Sequence, residues 1–423
     1  MNYPEFTTWL EGLDKFPEEA RFERMETMLR VLGNPEKKMK FVHVTGTNGK
    51  GSTCAMIESI LRSSGQITGL FTSPHLLKYN ERIRVGGEDI SDDEFLRVGV
   101  EVKGIVEGII SENSKMAPSL FEVLFVMTLK YFAEKNVEFG VIEVGLGGRR
   151  DPTNVIQSEV SIITNIDLDH THILGKTREE IALDKAGIIK ENGTCITTEK
   201  DEKLIEIFSE EAKKKNAKLI VLETEDCDLI NQSLKGQVFN FINYQALELP
   251  LLGAHQLSNA SCAIMCAEVL RNKGLNLTEQ DIRQGLKKVK WPLRLEIVRQ
   301  NPTVIIDGGH TEVAMEFTCE TIENLFSGKK KIGIIGFSER KNHKAMLDIL
   351  IYTVDIFVIT EQGYQGMSPE KIVEYLKEKG QTDILLTQNV AEAVKNALFI
   401  AKNEDLIMIL GGLYLGANAK MCL

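Results

Sequence analysis

No stretch of the chain approaches the ~20 consecutive apolar residues that a membrane-crossing helix needs, so no membrane partner is expected. Residues 1–16 carry Glu5, Glu11 and Asp14 without a long apolar core, so they do not read as a signal peptide. An excess of positive charge is missing as well. The 50 Lys and Arg against 61 Asp and Glu leave a formal net charge of −11. Nucleic acid is therefore not an expected partner, because its phosphates need a basic face. A locally positive pocket for a small anion stays compatible with that balance. Cysteine is sparse and scattered: Cys54, Cys195, Cys227, Cys262, Cys266, Cys319 and Cys422 form no Cys-x-x-Cys pair. Cys262 and Cys266 sit four apart on an expected helix, but no histidine or second pair nearby completes a zinc set. All seven are expected to be reduced core residues of a cytoplasmic protein. Repeats, low-complexity tracts and long flexible linkers are also absent from the sequence.

What is present is an ordinary globular composition, 43% apolar and 26% charged, over 423 residues. That length suggests two or three domains with real cores. Short apolar runs at 41–44, 139–144, 160–164, 218–222, 304–307 and 331–336 read as buried strands. Further strands are expected near Ile356, Ile384 and Ile407. Helices are expected between them, several opened by capping boxes: Ser91 with Glu94, Ser119 with Glu122, and Thr177 with Glu180. The last of these is expected to run from 178 to about 190. Others cover 201–216, 255–273 and 312–326, and 238–249 reads as a β-hairpin. Strands alternating with helices predict an α/β fold with a mostly parallel, doubly wound sheet. The pattern restarts after Trp291-Pro292-Leu293-Arg294, which reads as a domain boundary.

Strand 41–44 runs into Gly46-Thr47-Asn48-Gly49-Lys50-Gly51-Ser52, and a helical pattern follows. Strand, glycine loop and helix is the arrangement that brings backbone N–H groups to a phosphate. Glycines permit close approach, Lys50 offers charge to β/γ-phosphate oxygens, and Ser52 offers a hydroxyl to Mg²⁺. Val44 stands where the general phosphate-loop pattern has its first glycine. A plain glycine turn with a solvated lysine is the alternative. A second glycine run, Gly145-Leu146-Gly147-Gly148, also follows a strand. Arg150 takes the third-glycine place of a dinucleotide fingerprint and Pro152 follows closely, so that cofactor reading is rejected. Glu143 ends a buried strand, and His170 lies just past another, both at strand C-terminal ends where ligands bind. Beside phosphates they can complete a Mg²⁺ site, although imidazole is an uncommon Mg²⁺ ligand. Taken singly, Glu143 reads better as a salt-bridged strand end and His170 as a loop histidine.

Together these segments resemble the folylpolyglutamate and dihydrofolate synthases of the Mur ligase superfamily. In order they are Arg21 to Pro35, the loop ending at Ser52, Thr72-Ser73-Pro74-His75-Leu76 with Glu81-Arg82, and 143–154. Next come Leu168-Asp169-His170 and Asp184-Lys185-Ala186-Gly187. The last are Gly253-Ala254-His255-Gln256 with Asn259, Trp291-Pro292 with Arg294, and Asp307-Gly308 with His310. The resemblance implies a P-loop-type ATPase domain over 1–292. A smaller C-terminal α/β Rossmann-like ligase domain over 293–423 would close with it over the nucleotide. It implies that ATP phosphorylates a substrate carboxylate to an acyl phosphate, which an amino group then attacks. The acid would be folate-type and the acceptor an amino acid, most naturally L-glutamate, in a monomeric cytoplasmic enzyme. Thr47, Asn48, Gly49, Lys50, Gly51 and Ser52 would bind nucleotide with Asn259, Arg294 and Asp307. Ser52, Ser73, Glu143 and His170 would hold Mg²⁺. Lys185 would carry a carbamate, and Lys50, Lys185, His170 and His310 would serve catalysis. Without the resemblance, Lys185 reads as a surface helix cation.

The chain departs from the family in its last third. Gly309 and Thr311 stand where Ala and Asn are usual after Asp-Gly, Glu339-Arg340-Lys341-Asn342 where Asp-Lys-Asp is usual, and Gly412 where Ser is usual. Smaller departures are Leu293 for Gly, Asp184 for Glu and Pro152 for a small residue. These changes predict either weaker glutamate binding or another amine acceptor, with activation chemistry unchanged. Neutral replacement at a tolerant site is the alternative. A nucleotide-binding regulator without ligation is the reading of another class; the set Lys50, Glu143, His170 and Lys185 argues against it.

Overall fold

The structure, a computed structural model, describes residues 1–14, 22–223, 226–339, 341–363 and 365–423. Arg21 and Arg340 of the motifs above therefore lie outside the described residues. The chain packs as two units. One holds residues 1–228, 241–243 and 258–289, the other 229–240, 244–257 and 290–423. Among the described residues no helix is long and apolar enough to cross a membrane.

The first unit is built on eight strands: β1 (Lys40–Thr45), β2 (Thr68–Phe71), β3 (Ile83–Val85), β4 (Glu88–Asp89), β5 (Phe139–Glu143), β6 (Ser158–Ile163), β7 (Thr194–Thr197) and β8 (Lys218–Val221). Their order is β4-β3-β2-β5-β1-β6-β7-β8. The six strands from β2 to β8 in this order pair in parallel. β3 and β4 add an antiparallel edge that the sequence reading did not anticipate. β1 is buried on both faces, with Phe41, Val42 and Val44 all enclosed, so it reads as a continuous apolar run. From β1 the sheet extends through β5 to β2 on one side and through β6 to β8 on the other. The loops after β1, β5 and β6 therefore gather at one end of the sheet.

Helices Asp92–Glu112 and Leu120–Glu134 bury Phe95, Val98, Val102, Val123 and Phe132 in one core with Phe71 and Ile142. Ser119 and Glu122 form the reciprocal cap that the sequence announced, whereas at Ser91 only the serine half is present. Glu122 also pairs with Arg24 at 3.0 Å, both buried, which ties the helix Phe22–Val31 to this layer.

One helix is shorter than expected. The element predicted over 178–190 ends at Lys185 and passes into a 3₁₀ turn, Ala186–Ile188. The glycine run of residues 145–148 explains this. A Cβ on Gly187 would lie 2.5 Å from the Arg149 Cα, and one on Gly148 would lie 2.9 Å from the Lys185 Cα. Two backbones touch here, and a continued helix would have to pass through Arg149. The cysteine expectation holds for five residues only, since Cys227 is half-buried and Cys422 is exposed; all seven are free thiols.

Strands β9 (Cys227–Ser233), β10 (Gly236–Phe241) and β11 (Tyr244–Leu249) form a separate sheet in the order β11-β10-β9. The second unit carries a six-stranded sheet. It consists of β12 (Glu296–Arg299), β13 (Thr303–Asp307), β14 (Lys331–Ile335), β15 (Ile356–Ile359), β16 (Ile384–Leu386) and β17 (Leu406–Leu410), ordered β12-β13-β17-β14-β15-β16. Five strands are parallel, and β12 pairs antiparallel with β13. The core of this unit joins Leu252 and Leu295 to Ile305, Met315, Phe326, Ile335, Phe357 and Met408.

Candidate active site

The loop after β1 is shaped by two glycines in left-handed conformations, Gly46 (φ 149°) and Gly49 (φ 84°). Neither tolerates a side chain. A Cβ on Gly46 would fall 1.8 Å from the Thr164 hydroxyl oxygen, and one on Gly49 would fall 2.2 Å from the Asn259 side-chain oxygen. This explains how the loop dispenses with a glycine at Val44: the tight positions lie further on. Asn259, on the helix Ala254–Asn272, thus packs directly against the phosphate-loop residues predicted with it.

The segment after β6 holds the loop in place. Thr47 N–H donates to the Asn165 carbonyl at 2.9 Å, and Asn48 N–H to the Asn165 side-chain oxygen at 3.0 Å. The Thr164 hydroxyl donates to the Asn48 carbonyl at 2.6 Å, and Asp167 N–H to the Thr47 hydroxyl at 2.9 Å. These contacts use backbone and short polar side chains, which no spacing in the sequence announces. Asn165 was missed for that reason.

Lys50 opens the helix Lys50–Ser63 and donates to the Gly46 and Thr47 carbonyls at 3.0 and 3.1 Å. Lys185 donates to the same Gly46 carbonyl at 2.9 Å. Lys185 is buried, which corrects its reading as a surface cation. Burial, and then the charge of Lys50, bring its pKa down from 10.5 to about 7. Desolvation disfavours the ammonium, and a second cation nearby adds to the effect.

Thr45, Gly46, Thr47, Lys50, Val144, Gly145, Leu146, Gly147, Asp169, His170, Leu174 and Lys185 line one cavity. Of the predicted site residues, it brings together Thr47, Lys50, His170 and Lys185. His170 sits at φ 49°, a sparsely populated region for a non-glycine residue, and its N–H donates to the Asp169 carboxylate at 2.9 Å. Asp151 is buried and accepts from Leu146 N–H at 2.8 Å and Thr153 N–H at 2.9 Å, fixing the second glycine run. Burial raises its pKa to about 6.

Glu143 is buried at the end of β5, beside Val44 of β1, and accepts from Ser73 N–H at 2.9 Å. Ser52 is buried in the first turn of its helix. Among the described residues no group of three or more His, Cys, Asp and Glu is arranged to hold a metal by itself. Ser52, Ser73 and Glu143 supply hard oxygens, which suits a Mg²⁺ ion whose sphere phosphate and water complete.

Arg294, Asp307 and His310 belong to the second unit. Asp307 is buried at the end of β13, and its two oxygens accept from Leu295 N–H, Gly309 N–H and the Thr318 hydroxyl at 2.9, 2.7 and 3.3 Å. The Arg294 guanidinium donates to the Leu293 carbonyl at 2.9 Å, and His310 Nδ1 lies 3.1 Å from the Gly308 carbonyl. The departures acquire local reasons. A Cβ on Gly309 would lie 2.6 Å from the Asp307 carboxylate. Thr311 is the N-cap of the helix Glu312–Leu325, accepting from Ala314 N–H at 3.2 Å, so its hydroxyl does capping work of the kind an Asn side chain also does.

Comparison with known proteins identifies the family and the fold. Residues 93–267 match the Mur ligase middle domain, and residues 293–413 match the Mur ligase glutamate ligase domain. The chain is 33% identical to a dihydrofolate synthase/folylpolyglutamate synthase of Bacillus subtilis, over 91% of this chain and 95% of the relative. A crystal structure of folylpolyglutamate synthase from Thermotoga maritima, 30% identical, covers 99% of this chain and 96% of its own at a TM-score of 0.87. The Mycobacterium tuberculosis folylpolyglutamate synthase complexed with ADP, 28% identical, covers 99% of this chain and 97% of its own at a TM-score of 0.90.

Proposed function

Because the chain belongs to the folylpolyglutamate and dihydrofolate synthases of the Mur ligase superfamily, we propose that it joins L-glutamate to a folate-type acid at the expense of ATP. The observation that carries this reading is the convergence of Lys50 and Lys185 on the Gly46 carbonyl, in a cavity shared with His170. The reaction has two displacements. A carboxylate oxygen of the acid attacks the γ-phosphorus of ATP and ADP leaves. The amine nitrogen of glutamate then attacks the acyl carbon, inorganic phosphate leaves, and the nitrogen loses a proton. The first displacement needs charge neutralised on the transferring phosphoryl group. Lys50 would supply this: its ammonium donates to two carbonyls of the phosphate loop, which keeps its charge beside the loop. Ser52, Ser73, Glu143 and His170 would hold Mg²⁺, which supplies further neutralisation when bound.

Lys185 has a different task. Its lowered pKa leaves a substantial neutral fraction near pH 7, and only the neutral amine adds to CO₂. The nitrogen attacks the CO₂ carbon and loses a proton, which turns a cation that would repel a metal into an anion that attracts one. Residues 1–292 would supply nucleotide chemistry and 293–423 the acceptor site, in a monomeric cytoplasmic enzyme. Kinship with dihydrofolate and folylpolyglutamate synthases favours glutamate over another acceptor, despite Gly309, Thr311 and Gly412.

The test is phosphate release with ATP, Mg²⁺, dihydropteroate or a folate, and glutamate, omitting each in turn. Release is expected only with acid and amino acid together. Lys50→Ala should lower the rate by on the order of 10²-fold or more. Phosphate release that ignores the acid and the amino acid, or a folded Lys50→Ala variant with normal turnover, contradicts the assignment.

A further inference from the structure

The second sheet has its own switch point. After β14 the chain moves outward through the helix His343–Leu350 to β15, whereas the helix Leu413–Lys420 after β17 packs back on β17 and β13. Winding therefore reverses between β17 and β14. Ligands of open α/β sheets bind outside the C-terminal ends of strands at such a point. Three glycines stand there. A Cβ on Gly411 (φ 124°) would lie 2.2 Å from the Gly336 carbonyl oxygen, and one on Gly336 would lie 2.6 Å from the Thr360 carbonyl oxygen. The backbones after β17, β14 and β15 are thus in direct contact.

Gly412 differs from the other two. Its φ of 169° is extended backbone that any residue adopts, so conformation does not require glycine. The neighbouring side chain bears on it: a Cβ there would lie 2.5 Å from the Gln362 side-chain oxygen, so any side chain at 412 would make that carboxamide turn away. Gln362, in the loop after β15, is 3% exposed, and its side-chain oxygen occupies volume that a side chain at 412 would fill. It is an uncharged donor and acceptor enclosed where the sheet topology puts a ligand.

We propose that Gln362 is a specificity-determining residue for the amino-acid acceptor, hydrogen-bonding one of its carboxylates, and that Gly412 is glycine to admit it. This rests on the ligase reading and deepens it. A side chain at 412 would displace the carboxamide of Gln362 from its present position, so the two positions are coupled. The loss of a hydroxyl at 412 is then not a loss of the acceptor site but an exchange of one polar group for another reaching in from the loop after β15, two strands away.

The experiment is steady-state kinetics on the full chain with ATP, a folate and glutamate, beside melting temperatures. Gln362→Ala is expected to raise the KM for glutamate by about tenfold or more, as loss of a hydrogen bond to a charged group does, without moving the KM for ATP. Gln362→Glu, nearly isosteric, should raise it further, because a carboxylate faces a carboxylate. Gly412→Ser should also raise it, and Gln362→Ala with Gly412→Ser should be less impaired than the two effects multiplied, because the clash is gone. If Gln362→Ala does not fold, Gln362→Glu decides alone. An unchanged glutamate KM in folded Gln362→Glu overturns the proposal, as does an equal rise in KM for ATP and glutamate. A wild-type chain that releases phosphate without needing an amino acid overturns the ligase reading instead, so the two failures are distinguishable.

Discussion

Lys50 and Lys185 donate to a single carbonyl oxygen, that of Gly46. Two ammonium groups so placed cannot both stay charged without cost, and the enclosed one yields: burial and Lys50 together bring Lys185 to about 7. Its folded pKa lies below its unfolded value, so the folded state binds fewer protons between about pH 7 and 10.5, and stability rises with pH across that window. The same titration governs its chemistry. Neutral amine grows as pH rises through about 7, and only that form takes up CO₂. With ¹³C-labelled bicarbonate, a carbamate resonance is expected to appear as pH rises through about 7, to fade below it, and to be missing in Lys185→Ala. A resonance that persists well below pH 6, or survives in that variant, contradicts the assignment. Lys185→Ala should also lose ligase activity and recover part of it with a short carboxylic acid, which returns the missing anion.

At the scale of elements, glycine shows which contacts are functional geometry and which are incidental. A Cβ on Gly148 would meet only backbone: the Lys185 carbonyl oxygen at 2.8 Å and its Cα at 2.9 Å. Gly148→Ala must therefore move the end of the helix Arg178–Lys185, at a cost of about 1–3 kcal/mol in stability, and Lys185 moves with it. Gly104, exposed on the helix Asp92–Glu112 with nothing within 4 Å of its added Cβ, should gain about 0.5–1 kcal/mol as alanine. Melting and kcat on both variants check this; equal effects would refute it. These two glycines look alike in the sequence, which marks the limit of what periodicity conveys. Most of the parallel strands were legible because strands buried on both faces leave largely apolar runs, as in 41–44 and 304–307. β2 and β7 were not, since Thr68–Phe71 and Thr194–Thr197 are four-residue strands that each begin with threonine. Capped helices were legible through local signals such as Ser119 with Glu122. The edge strands β3, β4 and β12 were not legible either, since partly exposed strands of two to four residues such as Ile83–Val85 carry little pattern. Lys50 could be singled out from its glycine loop after a strand, whereas Glu143 and His170, read singly as a strand end and a loop histidine, became site candidates through the family resemblance. The roles of Asn165 and Gln362 depend on neighbours over a hundred positions away or on space, and neither is written in spacing.

For the whole molecule, chain order and packing order differ. Residues 229–240 and 244–257 precede the apparent boundary at 291–294, yet they group with residues 290–423. Leu252 belongs to the same buried cluster as Leu295, Ile305 and Phe357, and His255 packs on Phe317 with ring centroids 5.4 Å apart. Alternation in 238–249 announced strands without saying which core they cover, because a hairpin's apolar face is equally suited to either. A chain cut after residue 292 separates this segment from its partners. Losing one large buried aliphatic side chain from a core costs about 2–5 kcal/mol, a sizeable share of the 5–15 kcal/mol that holds an average domain. The fragment 1–292 should therefore lose amide protection at 229–240 and 244–257 and keep it along β1, β5 and β6. The fragment 293–423 should melt well below the intact chain, and a fragment beginning at 229 should recover part of that loss. Hydrogen exchange followed by mass spectrometry reads both outcomes. Full protection of 244–257 in the fragment 1–292 would mean that these residues are held by the first unit, and the packing division would have to be redrawn at the sequence boundary.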